Sequence, residues 1–598
     1  MNTLIKICDM LSRLDMPTAY IMLFTPSWLL VFLLAAGMVK SGKKLICKIL
    51  AVIPILNFVI FYLLNYTKGF HEVGIKRFGP HLIAAVIYCV AALLFSRAKK
   101  RTLPIILSCI AMICVSFWSL LYVLGIREVW HLGNYSKMGY EDSMAALIDD
   151  LEENYVLGRY KGIDYDELRE EYIPKAAEAE KNGDEVAFAV AVQELCYEFR
   201  DGHLCCFMLD NELDTKVSER LYGTDHGFSM IRRVDGKIVA ILADEGSDAY
   251  QKGIRNGVII TGWNGIDIEE ALKDVKCVTD LWIEDFPIEE NEDIARPMFL
   301  AGMGGDKITV EFIDEDGSAK NIEIEGNCSY LDRLTAATEP FTSLRAYDAI
   351  VNWPDPYNMV IHDDLGFAKM LDEHCGYICI PGEMYDDMGD LFATLSDEYP
   401  EIKDNMVSKI EKMKALGMDR LIIDIRGNCG GYYAICEEIV SLFTKEEIVK
   451  YCGFATEDGF EPSKGWIWTT EADGRYSDIP VVVLVNAGCA SCGDLVAYDL
   501  GMCENVTLMG MTTTWGCAQE AAGQCRLTDC MIGVNYPIIA TLEEDGTVAV
   551  DAGADRQSSV ILDEKILIDE KTIDALYVEE RDIELEYALE YINRQAGD

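Results

Sequence analysis

A run of small residues lies where an apolar strand would meet a helix. The segment 486–494, NAGCASCGD, follows IPVVVLV and precedes LVAYDLG. A tight turn between a buried strand and a helix exposes one side chain and aims backbone N–H groups into a cleft. Ser491, at the predicted helix start, is therefore a candidate nucleophile. Because serine is also a preferred N-cap residue, its position fits an ordinary capping role as well.

Two further segments carry groups that suit the same chemistry. Residues 419–431, DRLIIDIRGNCGG, read as a buried strand that ends in the paired glycines Gly430 and Gly431. Paired glycines let backbone amides approach a reacting carbonyl oxygen, although alone they also suit an ordinary turn. The segment DGHL supplies His203, whose side chain titrates near neutrality and suits proton transfer.

The three motifs DGHL, DIRGNCGG and CASCGD occur in this order and resemble those of one serine peptidase family. The family comprises the C-terminal processing (tail-specific) proteases and the tricorn core protease. Its usual signatures are D-G/P-H-T, D-L-R-x-N-x-G-G and S-A-S-A-S-E, and the resemblance spans about residues 140–560. It implies that Ser491 is the nucleophile. Labelling that persists without Ser491 would move this role to Cys489 or Cys492. Gly493 and Asp494 replace the last serine and the glutamate of the family motif.

The resemblance also implies the oxyanion donors and the base. The donors are the amide of Gly430 or Gly431 and the amide of Cys492. A serine needs a base to become nucleophilic. The bacterial branch uses a downstream lysine at the position of Gly516, but this chain has no lysine from 465 to 564. The tricorn-like branch uses a histidine ahead of its PDZ domain, and His203 matches that place.

The acidic member of the site is less well marked. Asp551, in the stretch DAGAD, resembles a degraded form of the E-x-x-G-x-x-P-D motif of the tricorn-like branch. It could orient or assist His203. Glu543 and Glu544 are alternatives, and all three could be solvated charges of an acidic domain.

The motifs require elements that position them. Residues 326–598 show repeated strand–turn–helix patterns, which predict an α/β, ClpP/crotonase-like, peptidase core with chemistry at its strand ends. Residues 135–215 have helical periodicity and predict a small helical cap that includes DGH. Residues 216–325 have short alternating strands and resemble a PDZ domain. In such a domain the loop at Gly227 and Phe228 would bind the carboxylate of a peptide terminus; the alternative is a spacer whose groove is closed.

Charge divides the 598-residue chain into two parts. The net charge is −48, but residues 1–130 carry +10 and the remainder −58. Four apolar runs in the basic part, at about 19–39, 45–64, 81–96 and 103–125, have nearly the length that a membrane span needs. They predict a four-helix transmembrane region in contact with lipid, with buried core helices as the alternative. The acidic remainder argues against a nucleic-acid partner.

The positions of the basic connectors predict a multi-pass cell-membrane protein whose catalytic body lies outside the cytoplasm. A cytoplasmic body is the alternative, because 16 of the 21 cysteines fall in the acidic part. Cys205 with Cys206, Cys375 with Cys379, and Cys525 with Cys530 could pair or remain buried thiols. The C-x-x-C at 489–492 has no second pair and no nearby histidine, so we predict neither a metal nor a cofactor.

The sequence thus predicts a multidomain fold with a four-helix transmembrane region, a helical subdomain, a PDZ-like β domain and an α/β peptidase core. The predicted function is a membrane-anchored serine endopeptidase that cuts polypeptides, with a C-terminus as one mode of recognition. The alternative is a catalytically inactive member of the same fold that binds peptides or other ligands. It is motivated by the missing lysine and by the elbow serines that are replaced.

Overall fold

The structure, a computed structural model, describes residues 131–278, 286–343, 361–363, 366–383, 400–456, 459–519 and 523–597, which form two compact units. The helices in these ranges are α1 (Tyr140–Asn154), α2 (Tyr165–Asn182), α3 (Glu185–Glu198), α4 (Asn211–Tyr222), α5 (Asp248–Gln251), α6 (Ile268–Lys273), α7 (Glu289–Leu300), α8 (Leu331–Thr342), α9 (Pro400–Ala415), α10 (Tyr433–Ser441), α11 (Cys492–Gly501), α12 (Glu570–Tyr577) and α13 (Ile583–Ala596). The strands are β1 (His131–Asn134), β2 (Cys205–Met208), β3 (Ser229–Arg232), β4 (Ile238–Ile241), β5 (Ile259–Trp263), β6 (Ile266–Asp267), β7 (Lys307–Ile313), β8 (Ala319–Glu325), β9 (Ile361–Asp363), β10 (Gly366–Met370), β11 (Cys375–Cys379), β12 (Arg420–Asp424), β13 (Ile448–Thr456), β14 (Gly459–Thr470), β15 (Val481–Leu484), β16 (Val506–Gly510), β17 (Gly523–Leu527), β18 (Ile532–Tyr536), β19 (Ala540–Leu542) and β20 (Glu564–Lys565).

The smaller unit includes residues 131–139, 207–214 and 523–534. Its sheet has the order β1-β17-β18-β2, and β1 runs parallel to β17. Lys137 and Asp529 form an ion pair at 2.6 Å on its surface. Both side chains are exposed, so this pair adds little to stability.

The larger unit is built on a seven-stranded sheet of order β20-β16-β15-β12-β11-β10-β9. The strands from β20 to β11 are parallel, and β10 and β9 are antiparallel to their neighbours. Along β12 and β15 successive side chains enter opposite cores, with Ile422 and Val482 on one face and Ile423 and Val483 on the other. This two-sided burial explains the continuous apolar runs of the sequence.

Helices cover both faces of this sheet. Residues of α9, α10 and α11 join the core cluster of Ile423, whereas residues of α13 join the cluster of Ile422. The strand–turn–helix units predicted for the α/β core are therefore present. They place the glycine turn after β12 and the small-residue turn after β15 at the carboxyl ends of adjacent parallel strands.

The segment before the core holds helices and an antiparallel sheet, as its periodicity predicts. Asp164 and Asp184 immediately precede α2 and α3, and their side chains accept backbone N–H bonds as N-caps. The loop after α3 carries the DGH motif. The antiparallel sheet has the order β3-β4-β5-β7-β8, with β6 paired to β5. The four-part domain division drawn from the sequence stays a prediction.

The fold class predicted from the sequence is wrong in its membrane part. Among the described residues no helix combines the length and apolarity that a bilayer crossing requires. All four predicted spans fall within residues 1–130, outside the described residues. The fold established for the described ranges is the α/β core with its helical and antiparallel segments. The predicted position of the body outside the cytoplasm stays a prediction.

The described cysteines are free thiols. Cys206, Cys375 and Cys525 are buried, and Cys205 is partly exposed. The sequence leaves open whether these cysteines form disulfides or remain thiols, and in the structure they are thiols.

Candidate active site

Ser491 connects β15 to α11 in a backbone conformation that few non-glycine residues adopt, with φ 56° and ψ −118°. These angles are those of the first central residue of a type II′ turn, which favours glycine. The side chain makes no capping hydrogen bond to α11, which removes the ordinary N-cap explanation. A strained, partly exposed serine between a buried strand and a helix has the geometry of a nucleophile elbow.

The segment Trp515–Cys517 lies against this elbow. Trp515 N donates to Cys489 O at 2.9 Å, and Ser491 N donates to Cys517 O at 3.2 Å. The fully buried Asp494 accepts a bond from Gly516 N at 2.8 Å. Burial raises the pKa of Asp494 to about 7. These bonds fix the elbow through Cys489 and Ser491 in the turn and through Asp494 in the first turn of α11.

The two cysteines of the elbow are engaged with backbone oxygens. Cys489 Sγ donates to Ile425 O at 2.8 Å, and burial raises the pKa of this thiol well above its ordinary value. Cys492 Sγ donates to Gly431 O at 3.0 Å. Since the thiolate is the reactive form of cysteine, Cys489 is poorly suited to be the nucleophile. Ser491 is a better candidate for the nucleophile than Cys489.

The glycine turn after β12 lies against the elbow. A Cβ atom on Gly430 would lie 2.7 Å from Ser491 Cβ and 2.8 Å from Cys492 N, so only glycine fits there. Gly430 N already donates to Asn428 Oδ1 at 2.9 Å. In the described part of the chain neither Gly431 N nor Cys492 N donates a hydrogen bond. Of the three amides predicted as oxyanion donors, these two are the ones left available.

His203 lies against the same Trp515–Cys517 segment. Its ring meets the Trp515 ring edge-on, with centroids 5.4 Å apart, and Gly202 N donates to Cys517 Sγ at 3.5 Å. A Cβ atom on Gly202 would lie 1.6 Å from Trp515 Cζ2, so this close approach requires glycine. The structure thus places His203 and Ser491 against one three-residue segment, although 288 positions separate them in the sequence.

His203 is buried, and burial lowers the pKa of its imidazole. The nearby Lys161 adds to this shift, whereas Asp201 opposes it. The ring is therefore neutral at neutral pH, as a general base must be. His203 N also donates to Asp201 Oδ1 at 3.0 Å, which fixes the turn that carries the ring.

Asp551 is buried beside the His203 loop, and its ion-pair partner is Lys161, a residue that lies in none of the sequence motifs. Lys161 Nζ also donates to Arg200 O at 2.9 Å and to Ala552 O at 2.8 Å. The ammonium therefore joins the loop that carries His203 to the loop that carries Asp551. Of the alternative acids, Glu543 pairs with Lys450 at 2.7 Å and Glu544 is exposed.

The charges of this cluster explain its titration. Burial alone would lower the pKa of Lys161, but the acidic groups of Asp551, Cys517 and Asp201 raise it. Burial and the neighbouring Asp201 favour the protonated form of Asp551, whereas the Lys161 ammonium lowers the pKa of this carboxyl group and favours the ion pair. Asp201 also accepts a bond from Tyr155 Oη at 2.7 Å.

Asp201, Cys517 and Asp551 offer ligand atoms within 4.8 Å of one another, a spacing that a metal ion could use. Lys161 already supplies a positive charge to these acidic groups, as its raised pKa reflects. The cluster therefore does not require a metal ion for charge balance. The absence of a metal stays a prediction.

The loop predicted to bind a peptide terminus has other partners here. Gly227 N donates to Asp225 Oδ1 at 2.7 Å, and Asp225 is paired with Arg333. Phe228 is fully buried in the core. A carboxylate at this loop would meet an engaged amide and a neighbouring aspartate, and terminus binding by Gly227 and Phe228 stays a prediction.

An α/β core that presents a strained serine beside glycine-turn amides, with a buried histidine on the same segment, defines a serine-type peptidase. Residues 375–553 match the family model described as Peptidase family S41. No curated protein sequence matches the chain. The enzyme class is thus that of serine-type peptidases.

Several solved structures are similar to this chain. A crystal structure of a CPAF mutant is 13% identical, with a TM-score of 0.50 over 76% of this chain and 98% of that one. Mature CPAF is 13% identical, with a TM-score of 0.47 over 77% and 98%. The photosystem II D1 C-terminal processing protease is 15% identical, with a TM-score of 0.33 over 74% and 96%. The likeness to the CPAF mutant is one of fold. The comparisons support neither the PDZ assignment nor a membrane region.

Proposed function

We propose that the chain hydrolyses peptide bonds of polypeptides, in the manner of the C-terminal processing proteases, through an acyl-enzyme on Ser491. The observation that carries the proposal is the placement of Ser491 and His203 against the single segment Trp515–Cys517. The elbow exposes the hydroxyl, and the neutral imidazole supplies the base.

In the acylation step Ser491 Oγ bonds to the peptide carbonyl carbon while its proton passes to His203. The carbonyl oxygen becomes an oxyanion, and the amides of Gly431 and Cys492 are the donors for it. The C–N bond then breaks, and the imidazolium returns the proton to the leaving amine. Water, deprotonated by His203, hydrolyses the ester and restores the serine.

The cluster of Lys161, Asp551 and Asp201 acts through position and charge. Asp201 fixes the turn of His203, and Lys161 holds the two loops together. The cation also favours the neutral imidazole. A positioned imidazole contributes roughly a hundredfold to ten-thousandfold to such a reaction, so loss of this cluster should act mainly through His203.

The test is labelling with a fluorophosphonate followed by mass spectrometry of the modified peptide, together with cleavage of an unstructured polypeptide. Ser491→Ala should abolish both labelling and cleavage. His203→Ala should do the same, because residues that act as a unit fail together. The matched control is Ser441→Ala, which removes a buried serine of α10 whose Oγ bonds Glu438 O. It should keep both activities.

Labelling that persists in Ser491→Ala would refute the assignment of the nucleophile. Binding of polypeptides without cleavage by the unaltered chain would instead favour the non-catalytic alternative.

A further inference from the structure

Glu383 lies directly against the glycine turn that the proposed mechanism uses. Its backbone bonds to both sides of Gly431: Glu383 N donates to Gly430 O at 3.1 Å, and Tyr432 N donates to Glu383 O at 2.8 Å. A Cβ atom on Gly431 would lie 2.0 Å from Glu383 O, so the two backbones touch. In this parallel bridge the N–H of Gly431 is not used by Glu383.

The Glu383 side chain reaches the same turn through Asn428. Asn428 Nδ2 donates to Glu383 Oε1 at 2.7 Å and to Ile380 O at 3.1 Å. Asn428 Oδ1 accepts from Gly430 N at 2.9 Å, and Asn428 O accepts from Ala490 N at 2.8 Å. One asparagine therefore links the buried carboxyl group, the glycine turn and the Ser491 elbow.

The carboxyl group of Glu383 is fully buried, and Oε2 has no hydrogen-bond partner among the described residues. Among the described residues no cationic side chain interacts with this carboxyl group. In the described ranges the thiols of Cys429 and Cys436 interact with it. A buried carboxylate without a cation is costly, whereas a neutral carboxyl group with one accepted bond is tolerated.

We propose that Glu383 is a positioning residue for the oxyanion site, and that its neutral form holds Asn428 and thereby the glycine turn. This inference rests on the proposed function. Fixing Asn428 keeps Gly430 N occupied and leaves Gly431 N for the substrate oxygen. An ionised Glu383 would place a negative charge behind the amides that must stabilise another negative charge.

The ionisation of Glu383 limits the pH range in which it can position the glycine turn. Burial raises the pKa of Glu383 to about 7, and the bond from Asn428 opposes the shift. Turnover should therefore decline above about pH 7, roughly tenfold per pH unit if the ionised form is inactive. In the native state Glu383 keeps its proton up to about pH 7, whereas in the unfolded chain its pKa is lower and the proton is lost at lower pH. Stability from this group is thus present at low pH and is lost as the pH rises to about 7.

The experiment compares Glu383→Gln with the unaltered chain for kcat and KM between pH 6 and 8.5. Glutamine keeps an acceptor for Asn428 and cannot ionise. The ratio of kcat at pH 8.5 to kcat at pH 6 should rise about tenfold or more relative to the unaltered chain. Glu383→Ala leaves Asn428 Nδ2 without this partner. It should lower kcat about 10–100-fold at pH 6, where Glu383 of the unaltered chain is neutral, with little change in KM.

The control is Glu438→Gln on α10. Burial also raises the pKa of Glu438, and its carboxylate lies 3.9 Å from the ammonium of Lys403. This variant should leave the pH profile unchanged. An unchanged profile in Glu383→Gln, or an unchanged kcat in Glu383→Ala, would overturn the proposal.

A second readout does not need turnover. In the Ser491→Ala background, Glu383→Gln should reduce the fall of Tm between pH 5 and 8, because it removes a proton that the native state holds. The same fall of Tm with and without the substitution would count against a neutral buried Glu383. Absence of cleavage by the unaltered chain would count against the proposed function alone.

Discussion

Replacing Ser491 with glycine should make the elbow more stable while it abolishes labelling. Ser491 has φ 56° and ψ −118°, a conformation open to glycine at little steric cost. Ser491→Ala retains the Cβ atom and should therefore retain the strain. The two inactive variants should differ in stability although both lack the hydroxyl.

The magnitude follows from two opposing effects. Strain at such a position costs about 1–3 kcal/mol, and glycine removes it. The added freedom of glycine in the unfolded chain costs about 0.4–1 kcal/mol. No capping bond is lost, since the Ser491 hydroxyl makes none. The net gain over the unaltered chain should be about 0.5–2 kcal/mol, where an ordinary N-cap serine would lose a few tenths of a kcal/mol.

Hydrogen exchange measured by mass spectrometry on the peptide covering 485–501 reports local opening of this turn. Exchange in Ser491→Gly should be about 2–30-fold slower than in the unaltered chain, the factor that corresponds to this gain. Ser441→Gly near the end of α10 is the control and should destabilise its own helix. Exchange at the elbow that is as fast or faster in Ser491→Gly would refute the strain argument.

Two more predictions concern the cluster beside His203. Lys161→Met leaves Asp551 buried without its cation and should lower the free energy of unfolding in urea by about 3–5 kcal/mol. Adding Asp551→Leu should recover at least half of this loss. A loss under about 1 kcal/mol in Lys161→Met would contradict a paired buried ammonium. Gly202→Ala pushes a methyl group into the Trp515 ring and should slow fluorophosphonate labelling of Ser491 about tenfold or more. Gly183→Ala, at a helix C-cap with open space around it, is the matched control and should leave the labelling rate unchanged.

The sequence was informative where the signal is local. The strands β12 and β15 read as apolar runs because both of their faces are buried, and the small residues after them mark turns that approach each other. Ser491 is selected by that context together with the order of the three motifs, because the context alone also fits an N-cap serine. The glycines of the turn follow from the same reasoning.

The partners of these groups could not be predicted, because they come from distant parts of the chain. Lys161 bonds to Ala552 across 391 positions, and Glu383 bonds to Asn428 across 45. Neither lysine nor glutamate is marked by periodicity or by neighbours of an unusual type. Gly430 was a predicted oxyanion donor, but its amide is taken by Asn428, a bond that depends on the turn geometry.

The buried Lys161 brings a lysine close to the site although none occurs at the position that the bacterial branch uses. The chain has no lysine from 465 to 564, yet the fold brings Lys161 close enough to Cys517 for the two groups to interact. A lysine base must be neutral near pH 7, whereas this ammonium bonds two carbonyl oxygens and an aspartate, and its acidic neighbours raise its pKa. Lys161 is therefore a fixed cation rather than a base. Its charge lowers the pKa of His203, so the lysine that the fold supplies favours the neutral imidazole that the proposed mechanism requires.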